Sequence, residues 1–119
     1  MRKDSLLMKA LLLLTALMVS ALPVKADDTG FENRLEMIGI LTSADCVVKN
    51  GAMTEEQASE LIQRIVNDNP NLNTAYSWAI TSNKATEAVE IMVTYMNSHC
   101  NDLTISEEEA ARLIRPYLD

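Results

Sequence analysis

Three copies of a helix-start pattern constrain this chain more than any other feature. In each copy, a threonine or serine is followed three positions later by glutamate or glutamine, which is the capping-box pattern. The copies are Thr29 with Glu32, Thr54 with Gln57, and Ser106 with Glu109. Each leads into apolar residues at helical spacing. The sequence therefore predicts that a helix begins at each of these positions.

Apolar periodicity extends the prediction to five helices. The first should run from Thr29 to Asn50 and Gly51, because glycine readily adopts the left-handed conformation that ends a helix. The others are expected at about residues 55–67, 72–82, 84–99 and from about 107, with Pro116 distorting the last turn. The fourth is apolar over a wide arc, so we expect it to be central to the packing. No segment alternates as a strand would, and the predicted fold class is all-α, a small domain of four to five helices.

Two stretches of the chain resemble each other. Residues 54–62 align with residues 106–114 at five identical positions, and each stretch follows a cysteine. Two interpretations are open. The chain contains two repeated helical hairpins, with a disulfide joining equivalent points of the two halves, or capping chemistry and helical periodicity produce the matches by themselves.

The first 26 residues have the layout of a cleavable signal peptide. Arg2, Lys3 and Lys9 precede an apolar run at residues 10–22, and small residues precede a cleavage point between Ala26 and Asp27. The run is shorter than the roughly 20 apolar residues that a membrane-spanning helix needs. We therefore expect an exported protein, periplasmic or secreted, with a single helical domain at residues 27–119.

The predicted mature chain is strongly acidic. Residues 27–119 carry 6 basic and 16 acidic side chains, and 6 minus 16 gives a net charge of −10. Binding to nucleic acids and to anionic membranes relies on clustered lysine and arginine. This composition argues against both as partners.

Cys46 and Cys100 are the only cysteines of the chain. Export would place them where disulfides form and persist, and the chain has no Cys-x-x-Cys motif to lower a thiol pKa for redox chemistry. We predict that they are paired in one disulfide, which should stabilise the domain by about 4 kcal/mol.

The residues that bear on chemistry do not form a recognised site. Met92, Met96 and His99 share one helical stripe that offers soft ligands for Cu(I), but methionine stripes usually pack in cores. The acidic clusters at residues 55–56 and 107–109 lie in first turns of predicted helices, where negative charge complements the helix dipole. His99 is the only histidine, and no serine or free cysteine is placed to be activated by it. We predict no catalysis, no cofactor and no bound metal.

Exclusion of these classes leaves a non-catalytic protein that binds a protein partner or has a structural role in the envelope. Small exported chaperones, inhibitors and immunity proteins share this architecture, which is an analogy without a shared motif. The alternative is a carrier of a small ligand or metal, with a pocket between the third and fourth helices. The candidate contacts for a ligand or partner are Tyr76, Trp78, Met92, Tyr95, Met96 and His99. An exposed apolar patch would favour the binding module, and an enclosed cavity would favour the carrier.

Overall fold

The computed structural model describes residues 29–119, which form five α-helices and two short 3-10 turns. The predicted signal peptide and its cleavage point lie outside the described residues. The helices are α1 (Thr29–Lys49), α2 (Glu55–Asp68), α3 (Asn73–Thr81), α4 (Asn83–Val93) and α5 (Glu107–Ile114), and the 3-10 turns are Pro70–Leu72 and Arg115–Tyr117. Residues 29–119 contain no strand, only one isolated antiparallel bridge between Met96 and Leu103. The all-α prediction is confirmed.

Local capping chemistry sets the starts of α2 and α5. Thr54 Oγ1 accepts a hydrogen bond from the Gln57 amide at 3.1 Å, and Gln57 Oε1 accepts one from the Thr54 amide at 3.0 Å, so the full capping box is formed. Ser106 caps α5 by accepting from the amide of Glu109 at 3.2 Å. The predicted stop after α1 is also present, because Gly51 has a φ of +75° just beyond the helix.

The end of α4 was predicted wrongly. The apolar pattern predicted a helix to residue 99, whereas α4 ends at Val93. Residues 94–104 instead fold back on themselves, with the Thr104 amide donating to the Tyr95 carbonyl at 2.7 Å and the Asn97 amide donating to the Asp102 carbonyl at 2.9 Å. This reversal lets the chain return towards α1, where the partner of Cys100 lies.

The core is organised around α1. Helix α1 packs against α2, α3 and α4, and it is apolar on nearly all sides, which is typical of a buried helix. Its side chains at Leu35, Met37, Ile38 and Ile40 are at most 2% exposed. Helix α4 packs against α1, α3 and α5. It buries Ala85, Ala88 and Met92, with Val89 and Ile91 partly buried against the core. None of the helices in residues 29–119 combines the length and apolar character needed to cross a membrane.

The predicted disulfide between Cys46 and Cys100 is confirmed, with a Cα–Cα distance of 5.8 Å. It joins the last turns of α1 to the loop between α4 and α5. Cys100 has a φ of +59°, a left-handed conformation that is uncommon for a residue with a side chain. Asn50 supports the same junction, because its Nδ2 donates to the Ser98 carbonyl at 2.9 Å and to Cys100 Sγ at 3.2 Å.

The two hairpins α1–α2 and α4–α5 share their element order but differ in size. Helix α1 has 21 residues and α4 has 11, while α2 has 14 and α5 has 8. Cys46 lies within α1, whereas Cys100 lies in the loop after α4. The two cysteines therefore occupy different kinds of backbone position.

Candidate functional site

An open apolar groove lies between helices α1, α2, α3 and α4. It has a volume of about 440 Å³ and is open to solvent along one side. Its large apolar side chains are Leu41, Val48, Ile62, Tyr76, Ile80 and Val89. A depression of this size and character is the usual starting point for a binding-site hypothesis.

Small residues create the groove. Each of the four helices contributes one alanine to its lining, namely Ala44, Ala58, Ala79 and Ala85. All four are buried, at 7% exposure or less, so they let the helices approach at their backbones. Their methyl groups are too small to fill the space where the four helices meet, so part of that space stays open as the groove. The groove thus forms because small side chains meet at the place where four helices pack together.

Helix α3 directs two large side chains into this groove. Tyr76 and Ile80 are one turn apart on α3, and residues at this spacing lie on the same face of a helix. Tyr76 is half-buried, while Ile80 is 62% exposed and is the most exposed large apolar side chain among residues 30–119. Ile80 therefore presents apolar surface to water at the edge of a concave site.

Charged side chains border the groove, and most of them are acidic. Asp45, Glu55 and Glu90 are carboxylates, and Lys49 is the one basic side chain of the lining. Lys49 Nζ lies 3.0 Å from Asp45 Oδ2, and this is the only ion pair within residues 29–119. Glu55 in α2 and Glu90 in α4 therefore form no ion pair with a basic side chain of that part of the chain.

The residues that sequence reasoning selected are not brought together in this groove. Tyr76 is the one that lines it. Met92 is completely buried in the core, Trp78, Tyr95 and Met96 are half-buried elsewhere, and His99 is exposed in the loop after α4. Their roles as ligand or partner contacts stay predictions. Among the described residues, no group of three or more histidine, cysteine, aspartate or glutamate side chains is arranged to hold a metal ion.

Sequence reasoning missed Ile80 as a functional candidate. The signal was present, because Tyr76 and Ile80 have helical i, i+4 spacing and flank the small Ala79. From sequence alone, an isoleucine on a short helix is expected to be buried in the core, because isoleucine is one of the residues most often buried. Only the tertiary structure shows that this face of α3 lines an open groove.

A second depression, with a volume of about 310 Å³, lies where the C-terminal residues meet the start of α1. Arg34 organises it: its Nη1 donates to the Leu118 carbonyl at 2.6 Å, and its guanidinium lies 4.5 Å from the centre of the Trp78 ring. The guanidinium of Arg115 lies over the Phe31 ring in the same way, 5.0 Å from the ring centre. These contacts attach the C-terminal turn to α1 and α3, which is a structural role.

One acidic group of α1 has a perturbed protonation equilibrium. Burial raises the pKa of the Glu36 carboxyl above its usual value, and the nearby negative charge of Glu32 raises it further. Glu36 is not part of the groove lining. Its effect should appear in the stability of the fold rather than in binding.

Comparison of the chain with protein-family models, with curated proteins and with solved structures gives no significant match.

Proposed function

We propose that this protein is a non-catalytic binding module that holds a protein partner in the groove between α1, α2, α3 and α4. The observation that carries the proposal is Ile80, an isoleucine that is 62% exposed at the edge of an apolar groove of about 440 Å³. Ile80 is not an isolated case, because it shares the groove lining with five other large apolar side chains, and a contiguous exposed apolar surface marks an interaction site where a single exposed residue would not. The lining also includes Tyr76, and tyrosine is among the residues that most often carry binding energy at interfaces.

The polar groups of the groove fit binding better than catalysis. They are the carboxylates and Lys49 at the border, together with the hydroxyls of Ser59, Tyr76 and Thr86. Activation of a hydroxyl nucleophile needs a base held against it, but within residues 29–119 no hydrogen bond joins these hydroxyls to a carboxylate or to His99, and the Thr86 hydroxyl donates to the Ser82 carbonyl instead. We propose that these groups set orientation and specificity for a partner.

We further propose that the protein acts outside the cytoplasm, in the periplasm or the external medium. Two features support this compartment: the signal-peptide pattern of the first 26 residues and the disulfide between Cys46 and Cys100. N-terminal sequencing of the protein from the cell envelope or medium should find Asp27 as the first residue. A protein that still begins at Met1 or Met8 would contradict the proposal.

Site-specific crosslinking tests the binding function. A photoreactive amino acid in place of Ile80 should give one discrete protein adduct in cells that produce the protein. The matched control replaces Leu113, which is 37% exposed on α5 and lies outside the groove. The proposal requires an adduct at position 80 that is missing at position 113. Identical adducts at both positions, or none at position 80, would count against it.

A small-ligand carrier is the second candidate, and the groove volume favours it. About 440 Å³ lies within the range of roughly 300–1,000 Å³ that is usual for small-molecule sites. The openness of the groove is what makes a protein partner the first choice, since small ligands are usually enclosed by most of their surface. Native mass spectrometry separates the two functions, because a carrier would retain a reproducible extra mass of a few hundred daltons.

A further inference from the structure

We infer that the partner segment bound in the groove is a basic amphipathic helix, with apolar side chains on one face and lysine or arginine on its flanks. This inference rests on the proposed binding function and adds the chemistry of the partner. It follows from three properties of the groove: its helical walls, its apolar anchor points and the sign of its border charges.

The apolar part of the groove suits a helix. Its walls are four helices, and Tyr76 and Ile80 present contacts one helical turn apart along α3. A helix that lies in a groove places its own side chains at i, i+3 or i+4, and i+7, which repeats at the same turn spacing. An extended segment would instead seek unpaired strand edges, and residues 29–119 contain no strand.

The charges of the groove select a basic partner. Glu55 on α2 and Glu90 on α4 both line the groove, and neither forms an ion pair with another described side chain. The third carboxylate, Asp45, is already paired with Lys49. A helix bound in the groove would therefore meet two carboxylates that have no basic partner. Lysine or arginine on the flanks of that helix would be attracted to them, whereas glutamate would be repelled.

The charge of the whole domain acts in the same direction. Residues 27–119 have a net charge of −10, from 6 basic and 16 acidic side chains. A field of one sign raises the association rate of oppositely charged partners and falls off over about 10 Å at 0.1 M salt. The field brings basic partners to the surface, and the carboxylates at the border of the groove then favour a segment with lysine or arginine over one with glutamate.

A binding assay with model peptides tests the inference. The protein is purified from the producing cells in the form that they accumulate. The probe is a fluorescent peptide of about 18 residues, five helical turns, with leucine on one face and lysine on the other. Two control peptides have glutamate in place of lysine, or the same leucines and lysines without a single apolar face. Fluorescence anisotropy gives the Kd of each peptide.

Paired variants assign binding to the groove. Ile80→Ser removes the apolar anchor, and Leu113→Ser is its control on α5. Glu90→Lys reverses a border charge on α4, and Glu60→Lys makes the same change on α2, at an exposed position outside the lining. We expect each groove variant to raise the Kd of the lysine peptide about tenfold, which corresponds to the loss of one anchor or one reversed charge contact. The control variants should change it less than about twofold, and the thermal unfolding midpoint of all four should match the parent, because all four side chains are exposed.

The outcomes separate the inference from the function on which it rests. Tight binding of the lysine peptide that is lost in both groove variants supports the inference. Equal binding of the glutamate peptide would overturn the basic character of the partner, and an equal effect of Glu60→Lys and Glu90→Lys would overturn its place in the groove. In either case a discrete adduct at position 80 would still support a protein-binding groove, whereas its absence would overturn the proposed function as well.

Discussion

Removing the disulfide should cost this domain a large share of its stability. The crosslink spans a sequence separation of 54 residues, and the chain-entropy model gives about 4 kcal/mol for a closed loop of this length at 25 °C. The left-handed backbone of Cys100 offsets part of this gain, by about 1 kcal/mol, because a variant without the bond can relax that residue. The net loss expected for the double variant Cys46→Ala/Cys100→Ala is therefore about 3 kcal/mol. Domains of this size have about 5–15 kcal/mol in total.

Urea unfolding measures this loss directly. Trp78 is the only tryptophan of the chain and is half-buried beside Arg34, so its fluorescence should report the unfolding of the helices around it. With a slope near 1 kcal/mol per molar urea, a loss of about 3 kcal/mol moves the midpoint down by roughly 3 M. Parent protein kept reduced with a thiol reagent should unfold at nearly the same midpoint as the double variant.

Two results would refute this reasoning. A loss below about 1 kcal/mol would mean that the crosslink does not constrain the unfolded chain as the entropy model assumes. A stable double variant combined with an unstable reduced parent would mean that buried thiols, rather than the missing crosslink, destabilise the reduced protein.

Three further substitutions test individual contacts. Thr42→Val should raise the free energy of unfolding by about 1 kcal/mol, because the Thr42 hydroxyl is fully buried with no hydrogen-bond partner among the described residues. A clear loss of stability in urea unfolding would show that the hydroxyl does have a hydrogen-bond partner. Thr54→Ala should lower the same quantity by about 1 kcal/mol because it removes the acceptor for the Gln57 amide, and no change would mean that α2 does not need its cap. The raised pKa of Glu36 means that the folded protein binds a proton at this carboxyl more tightly than the unfolded chain does. The stabilisation of the fold by this protonation is complete below the ordinary pKa of 4.5 and is lost as the pH rises through the pKa of the folded state. Glu36→Gln should therefore be more stable than the parent at pH 7 and should lose that advantage below about pH 4, and a constant difference across a pH series of urea midpoints would contradict this cause.

Local chemistry explains which helix boundaries were predictable from the sequence. The starts of α2 and α5 depend on Thr54 and Ser106 and on residues three positions away, so the relevant contacts lie within one turn. The end of α1 depends on Gly51 alone, through its positive φ. Such contacts are readable in sequence because no distant part of the chain takes part in them.

The end of α4 and the groove depend on distant contacts, and neither was predictable in the same way. Residues after Val93 keep an apolar pattern, yet Cys100 must reach Cys46, and Asn50, just beyond the end of α1, donates a hydrogen bond to the carbonyl of Ser98. The chain therefore leaves the helix before its local pattern ends. The groove likewise exists only because buried alanines from four separate helices meet at one place. Helical spacing predicts that each alanine is buried, but it does not show that together they leave a gap.

The groove and the disulfide are connected through the stability of the domain. An unfilled groove leaves apolar side chains such as Ile80 partly in water, and each 100 Å² of apolar surface left exposed forgoes about 2.5 kcal/mol of stabilisation. A small domain has little stability in reserve, so a gap of this kind needs an offsetting contribution from elsewhere. The crosslink supplies such a contribution without filling the groove, because it acts mainly on the unfolded chain. Cys46 and Val48 are two residues apart on α1 and so point to different sides of the helix. Val48 lines the groove, whereas Cys46 forms the disulfide with the loop after α4. The same helix thus contributes a wall of the groove and one end of the bond that lets the domain tolerate it.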